Sequence, residues 1–94
     1  MNKSLGEASI AVSVASLMPG DQAEIAYVAG GRMMMQRLAM LGIRTGVKIQ
    51  LLHGPGGRGA VLRVGGTRVA LGRGVIEHIM VIPEIRTRLR EAAE

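Results

Sequence analysis

Residues 37–46 read Arg-Leu-Ala-Met-Leu-Gly-Ile-Arg-Thr-Gly, and a helix has to stop inside them. Upstream, Met34, Leu38 and Leu41 share one helical face, with Met35 at its edge. Downstream, Val47, Ile49 and Leu51 alternate with Lys48, Gln50 and Leu52, the period of a strand. Between them stands Gly42, the residue type that enters the left-handed region without a Cβ penalty. The chain therefore switches from a helix over residues 32–41 to a strand from Val47 through a short glycine turn.

Strand signals surround this junction. Ile10, Val12 and Val14 alternate with Ala11, Ser13 and Ala15, which predicts a short strand. Pro19, Gly20 and Asp21 make a turn, and residues 23–28 follow as a strand with Ile25 and Tyr27 on one face. The strongest local signal is Gly65-Gly66 between residues 60–64 and 67–71, a hairpin with a primed two-residue turn. That register sets Val64 opposite Thr67 and Arg63 opposite Arg68, with Leu62 and Val69 inward. Residues 73–77 make one helical turn, and residues 79–82 form the last strand before Pro83. The tail, with Ile85 and Leu89 aligned, is either a short helix or frayed.

Five to six short strands with one inserted helix suit a mostly β, small barrel, and closure would remove exposed sheet edges. Three segments follow: an N-terminal extension over residues 1–16 with an extra strand, a barrel over residues 17–83, and a charged tail over residues 84–94. The expected core is Leu38, Leu41, Ile49, Leu62, Val69, Leu71 and Val81.

Composition narrows the function. Ninety-four residues make one small domain that buries roughly two-thirds of its unfolded surface, too little for a large catalytic cleft. Tyr27 is the sole aromatic residue, so the chain lacks the rings on which single-stranded nucleic acid stacks. The net charge of +5 still favours an anionic partner. Cysteine is absent, which excludes disulfides, thiolate metal sites and a thiol nucleophile. No apolar run is long enough to span a membrane. Lys3 before an Ala/Val/Ser stretch faintly resembles a leader, but Glu7 and the serines interrupt it.

Residues 54–59 match G-x-G-x-x-G, a pattern in which glycine lets backbone amides reach phosphate. Here the pattern opens a strand rather than a helix, and a glycine-rich hairpin turn is the better reading. His53 and His78 form no spaced pair, and Met33, Met34 and Met35 point in three directions on a helix. There is thus no convincing ligand set for a transition metal and no expected cofactor. The carboxylates form no motif with either histidine, so no enzymatic activity is expected.

Two surfaces remain as partner-binding candidates. Met33 and Met40 are seven apart, on a helix side the core does not need, with Arg37 between them. Arg63 and Arg68 stand together on the outer face of the hairpin, like charges that mildly destabilise a sheet unless an acid meets them.

The chain resembles the FeoA family. Leu17-Met18-Pro19-Gly20 looks like its opening turn. Arg37, Leu38, Leu41, Gly42, Ile43 and Gly46 match its helix-to-strand motif, and Val69, Ala70, Leu71, Ile79 and Val81 its closing strands. Thr45 departs from the proline that often precedes the glycine. The resemblance implies an SH3-like barrel and a cytoplasmic, non-enzymatic accessory protein of bacterial ferrous-iron uptake. It implies docking on the cytosolic part of a FeoB-type membrane transporter, and so contact with the inner membrane only through it. A second copy of the chain is the other protein partner considered. The alternatives are a basic barrel that binds nucleic acid, or a freestanding relative of the similar domain appended to iron-dependent repressors.

Overall fold

The computed structural model describes residues 10–84. The start of the leader-like stretch, in residues 1–9, and the tail over residues 85–94, expected as a short helix or frayed, lie outside them.

Six antiparallel strands, β1 (Val12–Ser13), β2 (Gln22–Val28), β3 (Lys48–His53), β4 (Gly59–Val64), β5 (Thr67–Gly72) and β6 (Ile79–Pro83), form one sheet in the order β1-β6-β2-β3-β4-β5. Helix α1 (Gly31–Met40) joins β2 to β3, and a helical turn α2 (Arg73–Ile76) joins β5 to β6. This is a small SH3-like barrel. Its ladder stays open between β1 and β5 among the described residues, so closure does not remove the edges as the patterning suggested.

The core is aliphatic, built from Leu17, Ile25, Leu38, Ile43, Ile49, Leu51, Leu62, Ile76, Ile79 and Val81 with smaller neighbours. The junction at residues 37–46 organises one side of it. The Ile43 N–H donates to the Leu38 carbonyl (2.9 Å) and the Gly42 N–H to that of Ala39 (3.0 Å), with Gly42 at φ +88°. This Schellman closure ends α1 and returns Ile43 over Leu38, an apolar contact that such caps favour. Ile43 takes the buried place beside Leu38, and Leu41 is left 46% exposed rather than in the core. Leu71 is likewise only partly buried, packed against the core from its margin.

Two tight turns of one kind hold β2. Pro19-Gly20 turns with the Asp21 N–H bonded to Met18 O (2.9 Å), and Gly20 has φ +96°. Asp21, buried, accepts the Met18 N–H through Oδ2 at 2.9 Å, locking the turn from within. Thr45-Gly46 turns in the same way, with Val47 N–H to Arg44 O (3.0 Å) and Gly46 at φ +91°. Thr45 occupies the corner where proline would sit, and its hydroxyl donates to Ala26 O at 3.2 Å. The departure from the expected proline leaves the turn intact.

Two local expectations change. The alternation from Ile10 to Val14 yields only the two-residue β1, and the chain then winds into a 3-10 turn over Val14–Ser16. Ser13 drives the switch: its side chain accepts the Ala15 N–H (3.0 Å) and donates to the Ile76 carbonyl (3.0 Å). Ile25 and Tyr27 do not share a face. A register shift between them inserts one residue, so Ile25 is buried while Tyr27 is 50% exposed.

Candidate functional site

The β4–β5 hairpin has the expected register, with Leu62 opposite Val69 and Arg63 opposite Arg68. Gly65 has φ +63° and Gly66 is not in the left-handed region, the pattern of a type II′ turn. Inward residues Leu62, Val64 and Val69 are buried, and Arg63 and Arg68 are exposed on the outer face. Gln22, Gln50, Arg63 and Arg68 form one cross-strand row. Among the described residues, the two ion pairs are Lys48–Glu84 (3.9 Å) and Arg73–Glu77 (3.1 Å), and neither Arg63 nor Arg68 takes part.

On the other side, a groove of about 430 Å³ separates α1 from the junction of β5 with α2. Met33, Met34, Arg37 and Leu41 line it from the helix, and Leu71 and Val75 from across. Met33, Arg37 and Leu41, the last just past the end of α1, are spaced by four and form one stripe along the groove. Met34 and Leu38 also line it while packing into the core. Arg37 also lies in the last turn of α1, where a cation faces the negative end of the helix dipole.

The five sequence candidates therefore fall on two surfaces. Met33 and Arg37 line the groove. Met40 is 85% exposed on the far flank of Arg37 and does not line it. Arg63 and Arg68 sit on the outer sheet face. Sequence reasoning missed Leu41, Leu71 and Val75 as groove residues. The first two carry core-like periodicity, and Val75 lies in a turn too short to show any.

The glycine-rich loop over residues 54–59 forms the connection between β3 and β4. The N–H of Gly56 donates to Gly59 O (2.9 Å) and that of Gly59 to Gly56 O (3.2 Å), so both amides are used within the loop. Arg73 fastens it from α2, through Nη1 to Gly56 O (3.1 Å) and through its backbone N–H to Arg58 O (3.1 Å). The loop is a braced hairpin turn, in which these two glycine N–H groups are already spent. His78 directs Nδ1 at Gly74 O (2.8 Å). Among the described residues, no three His, Asp or Glu side chains converge as a metal site requires.

A family model for the FeoA domain matches residues 12–83, which takes in all six strands. The chain belongs to the FeoA domain family. No curated protein sequence matches it. A crystal structure described as an iron uptake regulatory protein (FeoA) is 29% identical, with a TM-score of 0.74 over 80% of this chain and 100% of that one. The solution structure of a FeoA protein from Chlorobium tepidum is also 29% identical, with a TM-score of 0.69 over 76% of this chain and 69% of that one. A manganese-dependent transcriptional repressor shares the fold at 19% identity, with a TM-score of 0.71 over 79% of this chain but 41% of the repressor. The FeoA-family chain is thus an iron-transport-associated module whose fold also occurs within metal-dependent repressors. No helix among the described residues is long and apolar enough to cross a membrane.

Proposed function

We propose that this chain is a non-enzymatic accessory protein of ferrous-iron uptake that docks, in the cytoplasm, on the cytosolic part of a FeoB-type membrane transporter. Family membership supports the pathway. The groove beside α1 supports the mode of action. Met33 is 68% exposed, and with Leu41, Leu71 and Val75 it presents apolar surface around a single arginine. Protein interfaces are enriched in methionine and arginine, and a methionine adapts its shape to a partner at little cost. Met40 extends the same apolar surface past Arg37, outside the groove.

The test is calorimetry or pull-down with the transporter's cytosolic domain. Met33→Ser combined with Leu41→Ser should abolish binding while leaving the melting temperature within a few degrees, because Met33 is exposed and Leu41 is about half exposed and outside the core. Met33→Ser with Met40→Ser should weaken it less, since Met40 lies outside the groove. Unchanged affinity in the first variant, with the fold intact, sinks the assignment of the groove. Submicromolar binding of RNA or DNA at physiological salt, lost on raising the salt, would favour the nucleic-acid reading instead.

A further inference from the structure

We propose that the open edge of β5 accepts an additional strand from a protein partner, an extended segment that alternates acidic and apolar side chains. The proposal deepens the docking reading above by naming the chemistry of the segment.

The edge follows from the register. In a two-residue hairpin the pair next to the turn, Val64 with Thr67, exchanges hydrogen bonds, and pairs then alternate. Leu62 with Val69 and Ala60 with Leu71 are therefore bonded rungs, and Arg58 with Arg73 continues them. Arg68 and Ala70 fall on the other parity. Their N–H and C=O groups point away from β4, and β5 ends the sheet order, so no strand of the described residues meets them. Both residues are exposed. Such a row of outward backbone groups is a template for strand addition.

The two faces of the edge set what the added strand must carry. On its inner side, Leu71 and Val75 belong to the apolar groove that α1 borders with Met33 and Leu41. Inward side chains of an added strand would fill that groove, so every second residue should be apolar. On its outer side the row Gln22, Gln50, Arg63, Arg68 ends in two adjacent arginines that no described acid pairs. An acidic residue next in that row would relieve a like-charge pair and complete it. A second copy offering its own β5 would bring another Arg63–Arg68 pair to the same face, so charge disfavours self-pairing. The arginines thus guard the edge against this chain and open it to an acidic one.

The experiment uses the full chain and a short peptide of alternating glutamate and valine, with two controls: lysine in place of glutamate, and the glutamate peptide N-methylated on the residues that would face β5. Amide exchange followed by NMR should slow at Arg68 and Ala70 on adding the glutamate peptide. N-methylation should abolish binding. Arg63→Glu with Arg68→Glu should lower affinity for the glutamate peptide by about tenfold or more and raise it for the lysine peptide. Ala70→Pro removes one outward N–H without touching a rung to β4, and should also block the peptide. The proposal fails if the peptide does not bind, if the charge-reversed peptide binds equally well, or if shifts stay on α1 with the Arg68 and Ala70 amides unchanged. The transporter's cytosolic domain separates the two readings. If Met33→Ser with Leu41→Ser breaks its binding while Ala70→Pro and the double arginine reversal leave it intact, groove docking stands and strand addition to that partner is refuted. If it binds neither wild type nor variants, the transporter reading fails, and the peptide alone decides the edge.

Discussion

Replacing Gly59 by alanine should be strongly damaging for a change that adds a single methyl group. Gly59 has φ +135°, a conformation L side chains rarely adopt, which costs about 1–3 kcal/mol. A Cβ there would lie 2.0 Å from the Leu71 carbonyl oxygen and 2.9 Å from two backbone atoms of Gly72. No side-chain rotation relieves contacts made by Cβ with backbone, so the ends of β4 and β5 must part. The bonded rungs nearest the clash are Ala60 with Leu71 and Arg58 with Arg73, each worth about 0.5–1.5 kcal/mol net. Together these give a loss of roughly 2–6 kcal/mol, against a total stability of about 5–15 kcal/mol for a domain of this kind. Gly57, in the same loop, is the internal control. An added Cβ meets nothing within 4 Å there and φ is not positive, so Gly57→Ala should lie within about 1 kcal/mol of wild type, on either side. Urea unfolding of both variants, compared at equal slope, measures the difference. If the two variants unfold within about 1 kcal/mol of each other, the strand-junction account of the loop is wrong.

Other outcomes follow from the same geometry. Leu38→Ala removes a buried side chain beneath the Schellman closure and should cost about 2–5 kcal/mol by chemical unfolding; a loss under about half a kcal/mol would mean that α1 does not anchor the core. Arg68→Glu turns a directly opposed like-charge pair into an attractive one and should raise stability by about 0.2–1 kcal/mol at low salt, an advantage that high salt shrinks; a destabilised variant would show that Arg68 already has a favourable partner. Nucleotide titrated into the protein should give no micromolar binding, because the Gly56 and Gly59 amides are bonded to each other; saturable binding lost in Arg58→Ala would reverse that conclusion.

The hairpin and the α1 stop were legible because their signals are local. Gly65-Gly66 fixes a register within four residues of itself, and Gly42 ends a helix whatever surrounds it. What the sequence hid depends on distant partners. Leu41 has a core spacing, yet Ile43 displaces it once the cap closes. Tyr27 follows Ile25 by two, yet a bulge dictated by pairing with β6 moves it outward. Ile76 sits in a one-turn helix without periodicity and is fully buried. The buried Asp21 is invisible until the turn it braces has formed. For the candidate surfaces, Met33 and Arg37 were legible as surplus on an amphipathic helix. Leu71 and Val75, which complete the groove, were not, because the groove exists only once the fold brings the β5–α2 junction opposite α1.

The position of β6 bears on how the molecule can be made. The last strand in the chain lies between β1 and β2, and it is the one strand that β1 pairs with. The β4–β5 hairpin can close without the rest of the sheet, since its contacts are local in sequence. A growing chain cannot lay down β1, or cover the far side of β2, until Pro83 has been synthesised. The sheet is therefore completed only when β6, the last strand in the chain, enters between β1 and β2.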